Sequence, residues 1–155
     1  MHRSVIIEGP DGCGKTRLAS FLSEKLGLPI YTAGPPPKTL WGLIKNLNEQ
    51  VRKIEAGYIL DRCTPISQAV YRDKPKNLIY RAIIEYFARR ADIVLCETND
   101  PVHEVKHYDT DEHLEYIRLK SAVIRKNYRT VLGNYCYIPY NWRTTRESEI
   151  LKRLS

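Results

Sequence analysis

Short runs of apolar and β-branched residues alternate along the chain with longer segments in which apolar residues recur at helical spacing. This alternation is typical of an α/β fold, in which helices cover both faces of a mostly parallel sheet. We predict about five strands on this pattern. They lie at residues 4–8, 30–32, 58–60, 93–96 and 135–138. The predicted helices run from residue 15 to 26, from 40 to 51, through 80–87, from about 112 to 132, and from 147 to the end.

Loops connect these elements. The longest are predicted from Arg62 to the helix at Tyr80, over 98–110, and over 139–144. In an open parallel sheet, ligands bind at the carboxyl ends of the strands, so the residues that follow each strand are the first candidates for a site.

The chain has 155 residues, of which 43% are hydrophobic and 28% charged. A chain of this size buries most of the surface that its unfolded form exposes, so we predict one domain over 1–155 with a single core. It contains no run of about 18 uncharged apolar residues and no signal-peptide pattern, which predicts a cytoplasmic protein without a membrane segment. The four cysteines lack the spacing of a disulfide or zinc framework, so we expect reduced, mostly buried thiols and no structural metal.

The formal net charge is +7. A positive field attracts partners rich in phosphate, whatever the fold. A free nucleotide and a nucleic acid both fit this charge, so the charge becomes informative only beside a binding site.

A glycine-rich loop joins the first predicted strand to the first predicted helix and reads Gly-Pro-Asp-Gly-Cys-Gly-Lys-Thr. Backbone N–H groups have to wrap a phosphate chain closely, and Gly9, Gly12 and Gly14 remove the side chains that would block this approach. Lys15 reaches the β and γ phosphates, while the Thr16 hydroxyl binds Mg²⁺. The helix that follows directs the positive end of its dipole at the same phosphates. We therefore predict that the cofactors are ATP, or GTP, with Mg²⁺.

Asp11 inside this loop has two interpretations. It orients the acceptor or a water molecule, or it is ordinary turn chemistry, since aspartate before glycine is common in turns. The loop residues predicted to bind the nucleotide are Gly9, Asp11, Gly12, Cys13, Gly14, Lys15, Thr16 and Arg17.

Charged residues also follow two of the central strands. Asp61 accepts a hydroxyl proton or holds a Mg²⁺-bound water, and Arg62 clamps an acceptor phosphate with its planar guanidinium. The alternative for this pair is an ordinary surface ion pair. Glu97 follows the fourth strand and either helps to position Mg²⁺ or only faces the edge of the crevice. The predicted metal ligands are Thr16, Asp61 and Glu97.

The N-terminal half resembles the thymidylate kinase and deoxynucleoside kinase family. The resemblance rests on three motifs: Glu-Gly-Pro-Asp-Gly-Cys-Gly-Lys-Thr at 8–16, Asp61-Arg62, and Ser-Gln-Ala-Val-Tyr at 67–71. It implies a three-layer P-loop kinase fold, in which Asp61 and Arg62 serve acceptor binding and catalysis.

The chain also departs from that family. Members usually carry a further helix before the Asp-Arg strand, with an arginine that helps to hold thymine, whereas 34–58 has room for one helix and a turn. This leaves the acceptor pocket open. A homodimer that completes the pocket, a different small substrate, and an acceptor too large to be enclosed are all compatible with such an opening.

The long helix predicted at about 112–132 carries three arginines within about 40° of one another. The resemblance implies that they act as lid arginines over the transferring phosphoryl group, where positive charge stabilises developing negative charge. The alternative is a solvated face that keeps the protein soluble. The residues predicted to take part in catalysis are Lys15, Asp61, Arg62, Asp11, Arg118, Arg125 and Arg129.

The loop at 141–144 corresponds to the place where related kinases hold adenine. Asn141 and Arg143 are predicted to bind the nucleotide there. Trp142 stacks on a base in this interpretation, and in the alternative it belongs to the core.

Three functions fit the sequence. The first is an ATP-dependent kinase that phosphorylates a pyrimidine deoxynucleotide or nucleoside. The second keeps the chemistry but takes DNA as the acceptor, similar to the viral kinases that phosphorylate the hydroxymethyl group of 5-hydroxymethyluridine within DNA; a compact viral-type or phage enzyme would fit. The third is a non-catalytic nucleotide-dependent regulator, which the Asp61-Arg62 pair disfavours.

Overall fold

A five-stranded parallel sheet forms the centre of the protein. The computed structural model describes residues 3–10, 12–34, 37–97 and 111–154, without the side chains of residues 111–114 and 116–118. The strand order is β2-β3-β1-β4-β5, and every neighbouring pair is parallel. The strands are β1 (Ser4–Glu8), β2 (Ile30–Thr32), β3 (Ile59–Asp61), β4 (Ala91–Cys96) and β5 (Tyr137–Tyr140). The predicted α/β class and the strand count of about five are confirmed.

Helices cover both faces of the sheet. They are α1 (Lys15–Leu26), α2 (Leu40–Glu55), α3 (Thr64–Tyr71), α4 (Leu78–Ala88), α5 (Asp111–Leu132) and α6 (Glu147–Leu154). Alternate β1 side chains point to opposite faces, so Ile6 packs in the cluster that includes residues of α2, α3, α4 and α5, while Val5 and Ile7 pack with residues of α1 and α6. Each fully buried aliphatic side chain of this kind contributes about 1.5–3 kcal/mol.

Several element bounds shift by a few residues from the prediction, and two parts of the chain differ more clearly. Residues 64–71 form α3 instead of a loop, because Pro65 is tolerated in a first helical turn and the helix buries most of its residues against α4 and α5. The last strand is Tyr137–Tyr140, two residues later than predicted. It contains Pro139, which has no backbone N–H; a strand at the edge of the sheet accommodates this residue because it has no second neighbouring strand to bond.

The segment before β3 holds one helix among its described residues, as predicted. Thr39 caps α2 by accepting a hydrogen bond from the Gly42 N–H at 3.0 Å. Between Gly34 and α2, Pro37 and Lys38 run along the edge of a cavity described below. Within residues 37–58 the structure contains α2 and no second helix.

Two smaller features complete the fold. All four cysteines are free; Cys13, Cys63 and Cys96 are buried, and Cys136 is exposed. In the part of the chain that the structure describes, no helix has the length and apolar character needed to cross a membrane.

Candidate active site

The glycine-rich loop leaves β1 with backbone geometry that requires glycine. Gly9 has φ 148°, and a Cβ at this position would lie 2.3 Å from the Cys96 carbonyl oxygen on the neighbouring strand. Gly14 has φ 79° and is the N-cap of α1. Both positions lie in the left-handed half of φ, where a side chain is strained. The backbone at Gly9 and Gly14 can therefore approach a ligand closely, as the sequence predicted. Asp11 lies outside the described residues, so its predicted role stays a prediction.

Lys15 lies inside the loop that precedes it. The residue is only 7% exposed, and its Nζ donates a hydrogen bond to the Pro10 carbonyl at 2.5 Å. Since α1 begins at Lys15, the ammonium and the helix N-terminus act on the same volume. A cavity of about 470 Å³ opens there, and its lining includes Gly12, Gly14, Lys15, Thr16, Arg17, Asp61 and Arg62. This arrangement of backbone donors and positive charge suits a polyphosphate.

Thr16 and Asp61 meet at the floor of this cavity. The Thr16 hydroxyl and the Asp61 carboxylate are 3.5 Å apart, and Asp61 is 8% exposed at the end of β3. The register of β1 and β3 pairs Ile7 with Asp61, which explains why the carboxylate lies beside the phosphate loop. An oxygen pair of this kind fits Mg²⁺, which prefers hydroxyl, carboxylate and water oxygens.

Arg62 connects this cavity to a second one. Its φ is 77°, an unusual conformation for a residue with a side chain, and its N–H donates to the Ile7 carbonyl at 3.0 Å. Its guanidinium carbon lies 5.7 Å from the centre of the Tyr71 ring. Left-handed backbone costs about 1–3 kcal/mol and occurs often at functional sites. In this protein, the left-handed conformation of Arg62 places its side chain where it lines both cavities.

The second cavity has a volume of about 460 Å³ and shares Ala33 and Arg62 with the first. Its remaining lining residues are Gly34, Pro37, Lys38, Thr64, Ser67, Gln68, Tyr71 and Arg72. Among the described residues that line this cavity, three are cationic and none is acidic, which suits an anionic ligand. Sequence analysis did not select Lys38, Gln68 or Arg72 for the site, because α3 was predicted as a loop; Gln68 entered it only as part of the motif at 67–71.

Gln68 is the polar group of this cavity with an unusual environment. It is 3% exposed, and its Oε1 accepts a hydrogen bond from the Tyr80 hydroxyl at 3.1 Å. Its Nε2 is buried and has no hydrogen-bond partner among the described residues. An unsatisfied buried donor costs about 1–3 kcal/mol and calls for an explanation.

Glu8 is a central residue that the sequence analysis did not select for the site. It is fully buried at the end of β1 and accepts hydrogen bonds from the Cys63 N–H at 2.6 Å, the Ser67 hydroxyl at 3.0 Å and the Tyr128 hydroxyl at 2.8 Å. Burial raises the pKa of this carboxyl, while these donors and the positive charge of Arg62 act in the opposite direction. Its three donors come from residues that are distant in sequence, so no local pattern reveals the cluster.

The arginine-bearing helix α5 packs against this cluster. Arg129 Nε lies 3.6 Å from Glu97 Oε1, so the predicted metal ligand Glu97 is paired with a predicted lid arginine. Arg125 and Arg129 line a shallow cavity of about 450 Å³ together with Ala122, Lys126 and Thr130. The side chain of Arg118 lies outside the described part, so its predicted place beside the other two arginines stays a prediction.

The loop after β5 lies beside the phosphate loop. The nearest side-chain atom to a Cβ placed on Gly14 would be Trp142 Cβ, at 3.5 Å. Trp142 is 42% exposed, and the Arg143 guanidinium carbon lies 5.0 Å from its ring centre. Asn141 Oδ1 accepts a hydrogen bond from the Arg143 N–H at 3.1 Å. These contacts place the predicted adenine-binding loop next to the cavity lined by Gly14 and Lys15 and leave part of the indole accessible.

Solved structures with the same architecture are similar to the whole chain. The YorR protein from Bacillus subtilis, solved in complex with phosphorylated GDP, has 25% sequence identity and a TM-score of 0.70, over 97% of this chain and 92% of that chain. Deoxyadenosine kinase from M. mycoides with bound dATP has 15% identity and a TM-score of 0.61, over 97% of this chain and 98% of that chain. Thymidylate kinase from Ehrlichia chaffeensis has 14% identity and a TM-score of 0.55, over 99% and 98% of the two chains.

Sequence comparisons give less. No protein-family model matches the chain. An uncharacterized AAA domain-containing protein of Schizosaccharomyces pombe is 28% identical over 88 residues, which is 50% of this chain and only 11% of that protein. The structural similarity is therefore the stronger result, and it establishes that the chain has the α/β fold of P-loop kinases.

Proposed function

We propose that this protein is an ATP-dependent kinase that transfers the γ-phosphate to a pyrimidine deoxynucleotide or nucleoside. The observation that carries the proposal is the joining of two cavities of similar size, about 470 and 460 Å³, which share Ala33 and Arg62. The first has the features of a phosphate site, and the second has the polar and aromatic lining of an acceptor site. A transfer reaction needs two such sites in direct contact.

The donor side is formed by the phosphate loop. Its backbone and Lys15 bind the β and γ phosphates, and Trp142 and Arg143 provide a stacking surface for the base of ATP. Thr16 and Asp61 would hold Mg²⁺, which neutralises phosphate charge when it is bound. During transfer, the acceptor oxygen bonds to the γ phosphorus while the bond between that phosphorus and the bridging oxygen breaks. ADP is the leaving group, and where the acceptor is a hydroxyl, Asp61 would take its proton instead of binding Mg²⁺.

The acceptor side favours a ligand that carries a phosphate. Lys38, Arg62 and Arg72 line it, and their positive charge attracts the phosphate of a nucleotide more strongly than an uncharged nucleoside. Tyr71 offers a ring for the base, and Gln68 has a buried amide donor that an acceptor atom of a base or a water would satisfy. A nucleoside monophosphate therefore fits this lining better than a nucleoside does.

The first experiment measures transfer of labelled γ-phosphate from ATP with Mg²⁺. The acceptor panel contains thymidine, deoxythymidine monophosphate, deoxycytidine monophosphate and GDP. GDP is included because the similar YorR protein was solved in complex with phosphorylated GDP. We expect label on a pyrimidine monophosphate. Label confined to GDP would replace the pyrimidine acceptor in this proposal, and label on no acceptor of any class would contradict a kinase.

A variant pair tests whether the phosphate loop performs the transfer. Lys15→Ala should lower kcat/KM about 100-fold or more, because it removes a positive charge that stabilises the transferring group. Lys25→Ala is the matched control, since Lys25 lies on the same helix and pairs with Glu24 at 3.0 Å on the surface. Retention of most of the activity by Lys15→Ala would show that phosphate transfer occurs elsewhere.

A second candidate acceptor is DNA that carries 5-hydroxymethyluracil. It is favoured by the basic cavity of about 450 Å³ on α5, where Arg125, Lys126 and Arg129 lie together and could bind a phosphate backbone. The same labelling experiment includes duplexes with thymine or 5-hydroxymethyluracil. Label confined to the hydroxymethylated duplex would favour this candidate over the free nucleotide.

A further inference from the structure

Tyr128 joins the arginine-bearing helix α5 to the phosphate loop. The residue is 1% exposed, and its hydroxyl donates to Glu8 Oε2 at 2.8 Å. The same hydroxyl lies 3.2 Å from the carbonyl oxygen of Gly9, the first glycine of the loop. A single hydroxyl of α5 therefore contacts both the end of β1 and the first residue of the loop that binds phosphate.

The Glu8 carboxylate extends this connection to the acceptor side. Its Oε1 accepts from the Cys63 N–H at 2.6 Å and from the Ser67 hydroxyl at 3.0 Å. Cys63 directly follows Arg62, and Ser67 lines the acceptor cavity. The Glu8 side chain, which directly precedes the glycine-rich loop, thus contacts the residue after Arg62, helix α3 and helix α5.

A second route connects Tyr128 to Arg62 through aromatic rings. The Tyr71 and Tyr128 rings meet edge to face with 6.4 Å between their centres, and the Arg62 guanidinium lies over Tyr71. These ring contacts depend on the shape of the side chain and remain when the hydroxyl is removed. The hydroxyl and the ring can therefore be tested separately.

Two arginines of α5 that we predict to act on ATP are close neighbours of Tyr128 in sequence. Arg129 is the next residue, and Arg125 lies almost one turn earlier on the same helix. Both line the shallow cavity on α5. A small rotation of α5 about its axis would move both guanidiniums relative to the phosphate loop, and a misplacement of about 1 Å can reduce a rate about 100-fold.

We propose that Tyr128 is a positioning residue, whose hydroxyl, through Glu8 and Gly9, fixes α5 so that Arg125 and Arg129 act on the γ-phosphate of ATP. This inference rests on the proposed kinase function. It assigns to Tyr128 an effect on nucleotide affinity and turnover that depends on the arginines. A tyrosine that only filled the core would change stability and would act independently of them.

The test compares Tyr128→Phe with Tyr140→Phe. Tyr140 is also 1% exposed, and its hydroxyl donates to Glu147 Oε1 at 3.3 Å, so both variants remove a buried hydroxyl bonded to a carboxylate. We expect Tyr128→Phe to lower kcat about tenfold, in line with the loss of a charge-assisted hydrogen bond, and to leave KM for the acceptor within about twofold. Tyr140→Phe should keep kcat within about twofold of the wild type. Equal losses of kcat in the two variants would overturn the inference.

A double-variant cycle with Arg129→Ala decides whether the effect acts through the arginines. We expect Tyr128→Phe and Arg129→Ala each to raise the Kd for Mg²⁺-ATP. The Kd of the double variant should lie within about twofold of the higher of the two single-variant values. If the two single-variant losses of affinity multiply in the double variant, the inference is overturned. If Tyr128→Phe does not fold, Glu8→Gln replaces it in the cycle, since the amide keeps one acceptor oxygen and loses the other.

The binding measurement separates this inference from the proposed function. A wild type that binds Mg²⁺-ATP but labels no acceptor contradicts the kinase, while the cycle still decides whether Tyr128 positions Arg129. A wild type that does not bind Mg²⁺-ATP contradicts both. If the wild type transfers phosphate but the two single-variant losses of Mg²⁺-ATP affinity multiply in the double variant, only the role of Tyr128 is contradicted.

Discussion

Glu8 affects both the stability of the fold and the geometry of the candidate site, because its buried carboxyl accepts hydrogen bonds from Cys63, Ser67 and Tyr128. Water no longer solvates its carboxyl, so burial raises its pKa above the ordinary value of 4.5, although the Cys63 N–H, Tyr128, Arg62 and Ser67 all favour the charged form. A carboxyl whose pKa is higher in the folded state stabilises the fold while it is protonated. This stabilisation is complete below pH 4.5 and is lost as the pH rises through the folded pKa.

Glu8→Gln should therefore change the pH dependence of stability. The amide stays neutral at every pH, so the wild type should lose free energy of unfolding relative to the variant as pH rises from about 4 to 7, by about 1.4 kcal/mol for each unit between the folded and unfolded pKa. Urea unfolding of both proteins across this range measures the difference. Glu24→Gln is the control, because Glu24 is exposed on α1. Parallel curves for the wild type and Glu8→Gln would refute the prediction.

The residues that could be predicted from the sequence are those whose roles are local. Gly9, Gly14 and Lys15 occupy the predicted loop because backbone sterics and phosphate chemistry require these residue types at this spacing. Glu8 and Gln68 belong to the motifs at 8–16 and 67–71, but their hydrogen-bond partners could not be predicted in this way. Their environments are formed by partners on other elements, such as Tyr128 for Glu8 and Tyr80 for Gln68.

At the scale of the element, long periodic helices were predicted more accurately than short segments. The helix predicted at about 112–132 is confirmed as α5, and Gly27 ends α1 with φ 68° as its sequence predicted. In contrast, α3 has only eight residues and depends on burial between its neighbours, so local propensity did not reveal it. The position of β5 is fixed by its pairing with β4, which also lies outside local sequence.

The basic surface of α5 leads to a prediction at this scale. If DNA binds there, Arg125→Ala with Arg129→Ala should weaken binding and reduce the slope of log K against log salt by about two, because each arginine neutralises about one phosphate. Binding titrations from about 50 to 200 mM salt measure the slope.

Arg89→Ala with Arg90→Ala is the matched control for that measurement. It removes the same charge at the residues that precede β4, at the opposite end of the sheet from the phosphate loop. An equal change of slope in both double variants would mean that DNA responds to the net charge of +7 and not to α5.

At the scale of the whole molecule, the site exists only when the sheet is assembled. The glycine-rich loop follows β1, Arg62 follows β3, and Glu97 follows β4, so parallel pairing of these three strands brings their carboxyl ends together. Sequence order alone separates Lys15 from Asp61 by 46 residues, yet both line one cavity. The strand pattern and the rule for parallel sheets predicted this meeting, whereas the shape of the acceptor cavity depended on α3 and was missed.

Because the glycine-rich loop and the cavity beside it exist only in the folded state, Mg²⁺-ATP should stabilise the protein against unfolding. Free ligand at about 100 times its Kd should add about 2.7 kcal/mol to the free energy of unfolding, since the unfolded chain offers no comparable site. Urea unfolding with and without Mg²⁺-ATP measures this gain. Lys15→Ala should lose most of the gain at the same ligand concentration, while Lys25→Ala should keep it, because Lys15 is buried in the loop and Lys25 pairs with Glu24 on the surface. The same gain in all three proteins would place ATP outside the phosphate loop.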